Sequence, residues 1–178
     1  TTKGRLVRIG LVDRVNRATW AEFLRELPGT PRVVVGDGHG AVRNAVQDVW
    51  KGQPEFVRCV YHWRLNLEEQ IKYDLVFLTG KLSKHPAVAE HEIWGSCRRA
   101  FSSPDSWREF KQEVAEVVAD HPRSSALGWI AGYDDEINTQ LTAAPTRPGP
   151  QSTGPLEQDI QRVRERFVAE QLESALYH

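Results

Sequence analysis

The chain has 178 residues, of which 40% are hydrophobic and 26% charged, the profile of a soluble globular protein long enough to bury one real core. No apolar run approaches the roughly 20 residues a membrane-spanning helix needs, and the N-terminus lacks the basic-then-apolar pattern of a secretory signal, so no membrane partner is expected. Two cysteines, Cys59 and Cys97, are too few for a disulfide framework and make an intracellular setting the default. A net charge of -1 gives no bulk attraction toward nucleic acid.

Residues 5–12, rich in branched apolar side chains, read as a strand. Thr19 to Leu27 places Trp20, Phe23, Leu24 and Leu27 at helical spacing, and Pro28-Gly29 stops that helix. Val33-Val34-Val35 is a β-branched run, the pattern of a strand buried on both faces. Ala41 to Trp50 carries Ala41, Val42, Ala45, Val46 and Val49 on one helical face. Glu55 to Val60 reads as another strand, with a helix starting near Tyr61. Alternating strands and helices predict an α/β sheet with parallel neighbours. From about residue 63 to 143 the pattern turns helical throughout. Trp107, Phe110, Val114, Val117 and Val118 mark one helix, and Ile130, Tyr133, Ile137 and Leu141 another. Residues 144–155 hold four prolines and two glycines, a linker. A last helix is expected from about Pro155 to Leu176, with Leu156, Ile160, Val163 and Phe167 as its apolar stripe. The expected organisation is therefore 1–62 as an α/β core, 63–143 as a helical insertion, and 144–178 as linker and closing helix.

Asp37 follows a strand directly, where functional groups of open α/β sheets gather, and Gly36, Gly38 and Gly40 around it leave room for close approach. The same residues also fit a plain Asp-Gly turn. A phosphate loop fails, because Arg43 stands where the third glycine of Gly-x-Gly-x-x-Gly belongs. Cys59-x-x-His62 sits at a strand-to-helix junction and is either half of a zinc site or a buried cysteine beside a locally satisfied histidine. Cys97, His39, His85 and His91 supply no second paired motif for zinc. Asn66 shares a helical face with His62, four residues apart. Glu157 opens the last helix about 90° from the centre of its apolar stripe, with Arg164 on the same edge. There it can reach a partly enclosed site, or simply favour the helix dipole. Arg162, Arg164 and Arg166 could meet phosphates, although Glu165 among them and Glu170 one turn on suit a solvated face.

Taken in order, Val33-Val34-Val35-Gly36-Asp37-Gly38-His39-Gly40-Ala41 and Arg58-Cys59-Val60-Tyr61-His62-Trp63-Arg64-Leu65-Asn66 resemble the core of Mutator-like DDE transposases. Trp20-x-x-Phe23-Leu24 resembles that family's helix ahead of the catalytic Asp. Ser152-Thr153-Gly154-Pro155-Leu156-Glu157 resembles the segment bearing its catalytic Glu, with Gly154 in place of the family's Asn. The resemblance covers most of the chain. It implies a ribonuclease H-like fold with an all-helical insertion before the last helix. Asp37 and Glu157 become catalytic metal ligands for two Mg²⁺ ions, which Mn²⁺ can replace. Cys59, His62, Asn66 and Arg164 become supporting or DNA-positioning residues. The family's first catalytic Asp lies on a leading strand, and Asp13 falls at the end of what would be the third strand. The leading strands and that Asp are therefore expected to lie upstream of this segment, which alone should be inactive or nearly so.

The function so implied is DNA strand cleavage and strand transfer, with transposon ends and target DNA as partners and a homo-oligomer assembled on them. The setting would be the cytoplasmic nucleoid in a bacterium or the nucleus in a eukaryote. Two other readings stay open: a domesticated or degenerate transposase-derived module that binds DNA or protein without catalysis, and a small zinc-stabilised interaction module built on Cys59 and His62.

Overall fold

The computed structural model describes residues 16–146, a mixed α/β chain in which helices predominate over a small parallel sheet. The strand expected at 5–12, Asp13, the linker beyond Thr146, and the last helix with Glu157 and Arg164 lie outside the described residues.

Helix α1 spans Arg17–Arg25, starting two residues before the expected Thr19. Asn16 is the reason. Its Oδ1 accepts from the N–H groups of Ala18 (2.8 Å) and Thr19 (3.1 Å), while the Asn16 N–H donates back to Thr19 Oγ1 (3.1 Å), a reciprocal cap that satisfies the first-turn donors. Strand β1 is Val33–Gly36, α2 is Gly40–Trp50 and β2 is Glu55–Arg58. β1 and β2 pair in parallel, Val33 opposite Glu55 through Gly36 opposite Arg58, with α2 as the crossover that parallel neighbours require. Ala21 and Leu24 of α1 meet Ala45, Val46 and Trp50 of α2, and Val34 and Phe56 of the sheet lie against that core. Arg17 clamps Asp48 across the two helices through Nε (2.6 Å) and a terminal nitrogen (2.5 Å).

The valines of β1 depart from expectation. Each is half-buried rather than enclosed on both faces. Among the described residues β1 has one neighbouring strand, and the apolar core of α1 and α2 covers one side of the pair.

Helix α3 runs without a break over Val60–Thr79 and ends at Gly80, whose φ of 62° gives the left-handed cap a side chain would resist. The 62/63 position taken as a domain boundary thus lies inside its first turn. Short α4 (Pro86–Ala89), α5 (Ile93–Ala100), α6 (Pro104–Val117) and α7 (Ser125–Ala143) complete the helical unit, followed by a single 3₁₀ turn, Ala144–Thr146. Trp63, Leu67 and Ile71 of α3 pack with Cys97, Trp107, Phe110, Val114, Ile130 and Ile137 in one core. The helical stripes expected in α6 and α7 are the ones that point inward, with Val117 and Tyr133 at the rim. Burial, with a smaller push from Glu68, raises the Cys97 thiol to about 12, so it stays protonated and acts as a small apolar residue. Among the described residues no helix is long and apolar enough to cross a membrane.

Asp134 of α7 gathers a polar knot against α6. It accepts from Trp107 Nε1, Lys111 Nζ (each 2.7 Å) and Asn138 Nδ2 (2.8 Å). Burial alone would raise its carboxyl, but the hydrogen bonds from Lys111 and Trp107, the Lys111 charge and Asn138 together hold it below the usual carboxylate range. A depressed folded-state value stabilises the fold fully above the carboxyl's unfolded value and loses that contribution as pH falls through the folded one. Melting curves of the wild type and Asp134→Asn should therefore differ by a constant gap at neutral pH that closes in acid. A gap that widens in acid would assign the knot the wrong sign.

Candidate functional site

The parallel register places the two sequence motifs at one edge. Gly36, the last residue of β1, pairs with Arg58, the last of β2, and the Cys59 N–H donates to the Gly36 carbonyl at 2.6 Å. Asp37 and Cys59 therefore leave the sheet side by side at its carboxyl edge, where ligands of open α/β sheets bind.

Asp37 is exposed. Its Oδ1 accepts from the His39 N–H at 2.8 Å, closing the turn that leads into α2. His39 caps α2, with its ring Nδ1 accepting from the Ala41 N–H at 3.2 Å. Gly38 has a φ of 87°, and a Cβ on it would collide with the Arg58 side chain. Glycine is needed there both for the backbone conformation and for the space. The second carboxylate oxygen of Asp37 makes no hydrogen bond with the described residues, so it can face a cation.

Arg58 ends β2 and is gripped by the helical unit. Its N–H donates to Gln140 Oε1 (3.0 Å), and its carbonyl accepts from Gln140 Nε2 (2.6 Å). One buried amide thus satisfies both backbone groups of the strand's last residue, where no further strand among the described residues does so. The Arg58 guanidinium lies 4.6 Å from the Tyr133 ring centroid and 5.8 Å from that of Trp63, and 3.9 Å from Glu136 Oε2. Its side chain is only 14% exposed. Nε makes no hydrogen bond with the described residues. A largely desolvated cation whose side chain lies against Gly38, held by aromatic faces more than by charge, keeps much of its electrostatic reach.

Cys59 is fully buried and precedes α3 as its cap residue, its carbonyl accepting from the Trp63 N–H at 3.1 Å. His62, half-buried, lies in the first turn with its ring edge-on to Tyr61 at 5.7 Å. Asn66 is exposed one turn further along α3. The fold thus brings Asp37, Cys59 and His62 to one edge, with Asn66 beyond it. Glu157 and Arg164 lie outside the described residues. Sequence reasoning gave no part in the site to Arg58, Gln140, Tyr133 or Glu136, reading Tyr133 only as part of a helical stripe and Arg58 only as the start of the Cys59 motif. The available signal was Gln140, an amide adjoining Leu141 in the otherwise apolar register of α7.

Among the described residues no three of His, Cys, Asp and Glu come together as a metal site. Asp37 alone presents an exposed carboxylate here, the donor type that Mg²⁺ takes alongside several waters. In comparisons with protein families, curated proteins and solved structures, no match was found.

Proposed function

We propose that this chain is catalytic-domain material of a Mutator-like DDE transposase, with a ribonuclease H-like core, that cleaves and joins DNA strands. The observation that carries the reading is the meeting of Asp37 with Cys59-x-x-His62 at the carboxyl edge of one parallel β-α-β unit, followed by a helical unit. That order of parts is the one the resemblance implies. In this reading Asp37 and Glu157 are metal ligands and Arg58 orients phosphate beside them. Cys59 and Gln140 hold the strand end in place, while His62, Asn66 and Arg164 line the approach of DNA. Mg²⁺ bound there would supply the charge that activates a water or 3′-hydroxyl and stabilises the leaving oxygen. Transposon ends and target DNA are the partners, and the active form is an oligomer on DNA.

Asp37→Asn tests the reading cleanly, because an amide oxygen can still accept from His39 while the charge is gone. Mn²⁺ binding followed by electron paramagnetic resonance should weaken at least about tenfold in Asp37→Asn and in Glu157→Gln, with melting temperatures unchanged. In a longer chain carrying the upstream Asp, each variant should also abolish Mg²⁺-dependent nicking of supercoiled DNA. Unchanged Mn²⁺ binding in both variants would sink the assignment. The hydrogen bond from His39 to Asp37 supports a second reading, a degenerate module in which Asp37 only shapes a turn. Under that reading Asp37→Ala lowers stability and neither variant alters metal binding.

A further inference from the structure

We infer that the face of the helical unit between α3 and α5 is a groove for the phosphate backbone of duplex DNA, leading to the Asp37 edge. The proposal rests on the reading above for its choice of partner, and on the distribution of charge for its place. An open cleft of about 530 Å³ is walled by Lys72 of α3, Lys84 of the following loop and Arg98 of α5, with Trp94 at its side and Glu68 as its one acid. Arg98 also borders a second cleft of about 210 Å³, lined by Tyr61, Arg64 and Phe101. The two clefts therefore adjoin. Tyr61 stands in the first turn of α3, two residues after Cys59 and the sheet edge that carries Asp37.

The charges in the groove are available. Arg64 pairs with Glu68 at 3.4 Å, which uses the single acid. Lys72, Lys84 and Arg98 are exposed and form no ion pair among the described residues. The rest of the helical unit is acidic. Residues 104–146 hold eight acidic and three basic side chains, whereas 60–103 hold six basic and five acidic, one of the five being buried Asp74. Gathering three unpaired cations in one cleft gains the fold nothing and costs repulsion, and a polyanion offsets that cost. The Val60-to-Lys72 stretch of α3 is about 18 Å long, close to five base-pair steps of duplex at about 3.4 Å each. Open clefts joined end to end suit a continuous backbone better than one small anion, which would need an enclosed pocket.

The test is fluorescence anisotropy of a short labelled duplex with the full chain, titrated over salt from about 50 to 200 mM. Three phosphate contacts predict a log-log salt slope of about -2.7, so affinity should fall about 40-fold across that range. The triple variant Lys72→Glu, Lys84→Glu, Arg98→Glu should lose that slope and most of the binding, whereas Arg108→Glu, which lines neither cleft, should not. Should the triple variant fold poorly, Lys72→Gln and Lys84→Gln singly should each lower the slope by about 0.9. Undiminished binding by folded variants overturns the proposal. So does competition by inorganic phosphate at low millimolar concentration, which marks a small-anion site, or preference for a polyglutamate peptide over DNA, which marks an acidic protein partner. Mn²⁺ binding separates the two readings, since the triple variant should hold Mn²⁺ like wild type while losing the duplex. A groove lost without effect on metal binding, or metal binding lost without effect on the groove, identifies which reading failed.

Discussion

Trp107→Ala should destabilise the protein by about 3–5 kcal/mol through lost packing and by about 1 kcal/mol more through the lost hydrogen bond. The indole is fully buried, stacks on Phe101 at 5.2 Å and touches Phe110 at 6.2 Å. Its Nε1 donates to Asp134 at 2.7 Å, so one side chain joins the apolar core to the polar knot between α6 and α7. Domains of this size hold only about 5–15 kcal/mol in total, and the variant should begin to unfold at low urea. Trp107→Phe keeps an aromatic ring and loses the donor. Trp63 provides the internal control, being equally buried but with an Nε1 that has no acceptor among the described residues. Trp63→Phe should therefore cost less than Trp107→Phe, since it removes a buried donor that gains nothing. Equilibrium urea unfolding of the three variants decides the matter, and an alanine cost at position 107 under about 1 kcal/mol would contradict the packing described.

The second large effect is expected at Asp74, which is 1% exposed. Its carboxylate accepts from Ser124 Oγ (2.6 Å) and from the N–H groups of Ser125 (2.9 Å) and Ala126 (3.0 Å) at the start of α7, with His121 Nε2 at 3.6 Å. These are first-turn donors that no residue within the helix can satisfy, and a carboxylate there also complements the helix dipole. Ser124 continues the chain by accepting from the Leu127 N–H at 3.0 Å. Asp74→Ala strands several buried donors at once and should cost about 3–4 kcal/mol. Asp74→Asn retains an acceptor and should cost roughly half as much. Hydrogen exchange gives the sharper reading, because the amides of Ser125 and Ala126 should lose protection first. If Asp74→Ala unfolds at the wild-type urea concentration, the α3–α7 tie is energetically idle.

Within residues 16–146, element types and their order were legible locally. The 3.6-residue apolar periodicity of α2, α6 and α7 needs only neighbours along the chain to be recognised, and Val33 to Val35 announced a strand in the same way. End points were less legible: Asn16 draws α1 two residues earlier than its apolar face suggested, since capping depends on side-chain hydrogen bonds that periodicity does not register. The half-exposure of β1 also escaped, because burial depends on what covers a strand and not on its own composition.

Of the candidate site, Asp37 and the Cys59-x-x-His62 motif could be picked out by residue type and by their place after a strand, and resemblance supplied their roles. Their adjacency came from the register that pairs Gly36 with Arg58. Arg58 itself gained its place from Gln140, 82 residues away. Asp74 reads in sequence as an acidic interruption of the apolar face of α3, yet its partners lie about fifty positions downstream. The cations of the groove converge from α3, α5 and the loop between them. Among the described residues, the amino-acid sequence by itself therefore determined which segments are helix or strand and which side chains are chemically capable. Tertiary packing alone decided which of them meet, because hydrogen bonds and charges act over a few ångströms of space between residues that the chain keeps far apart.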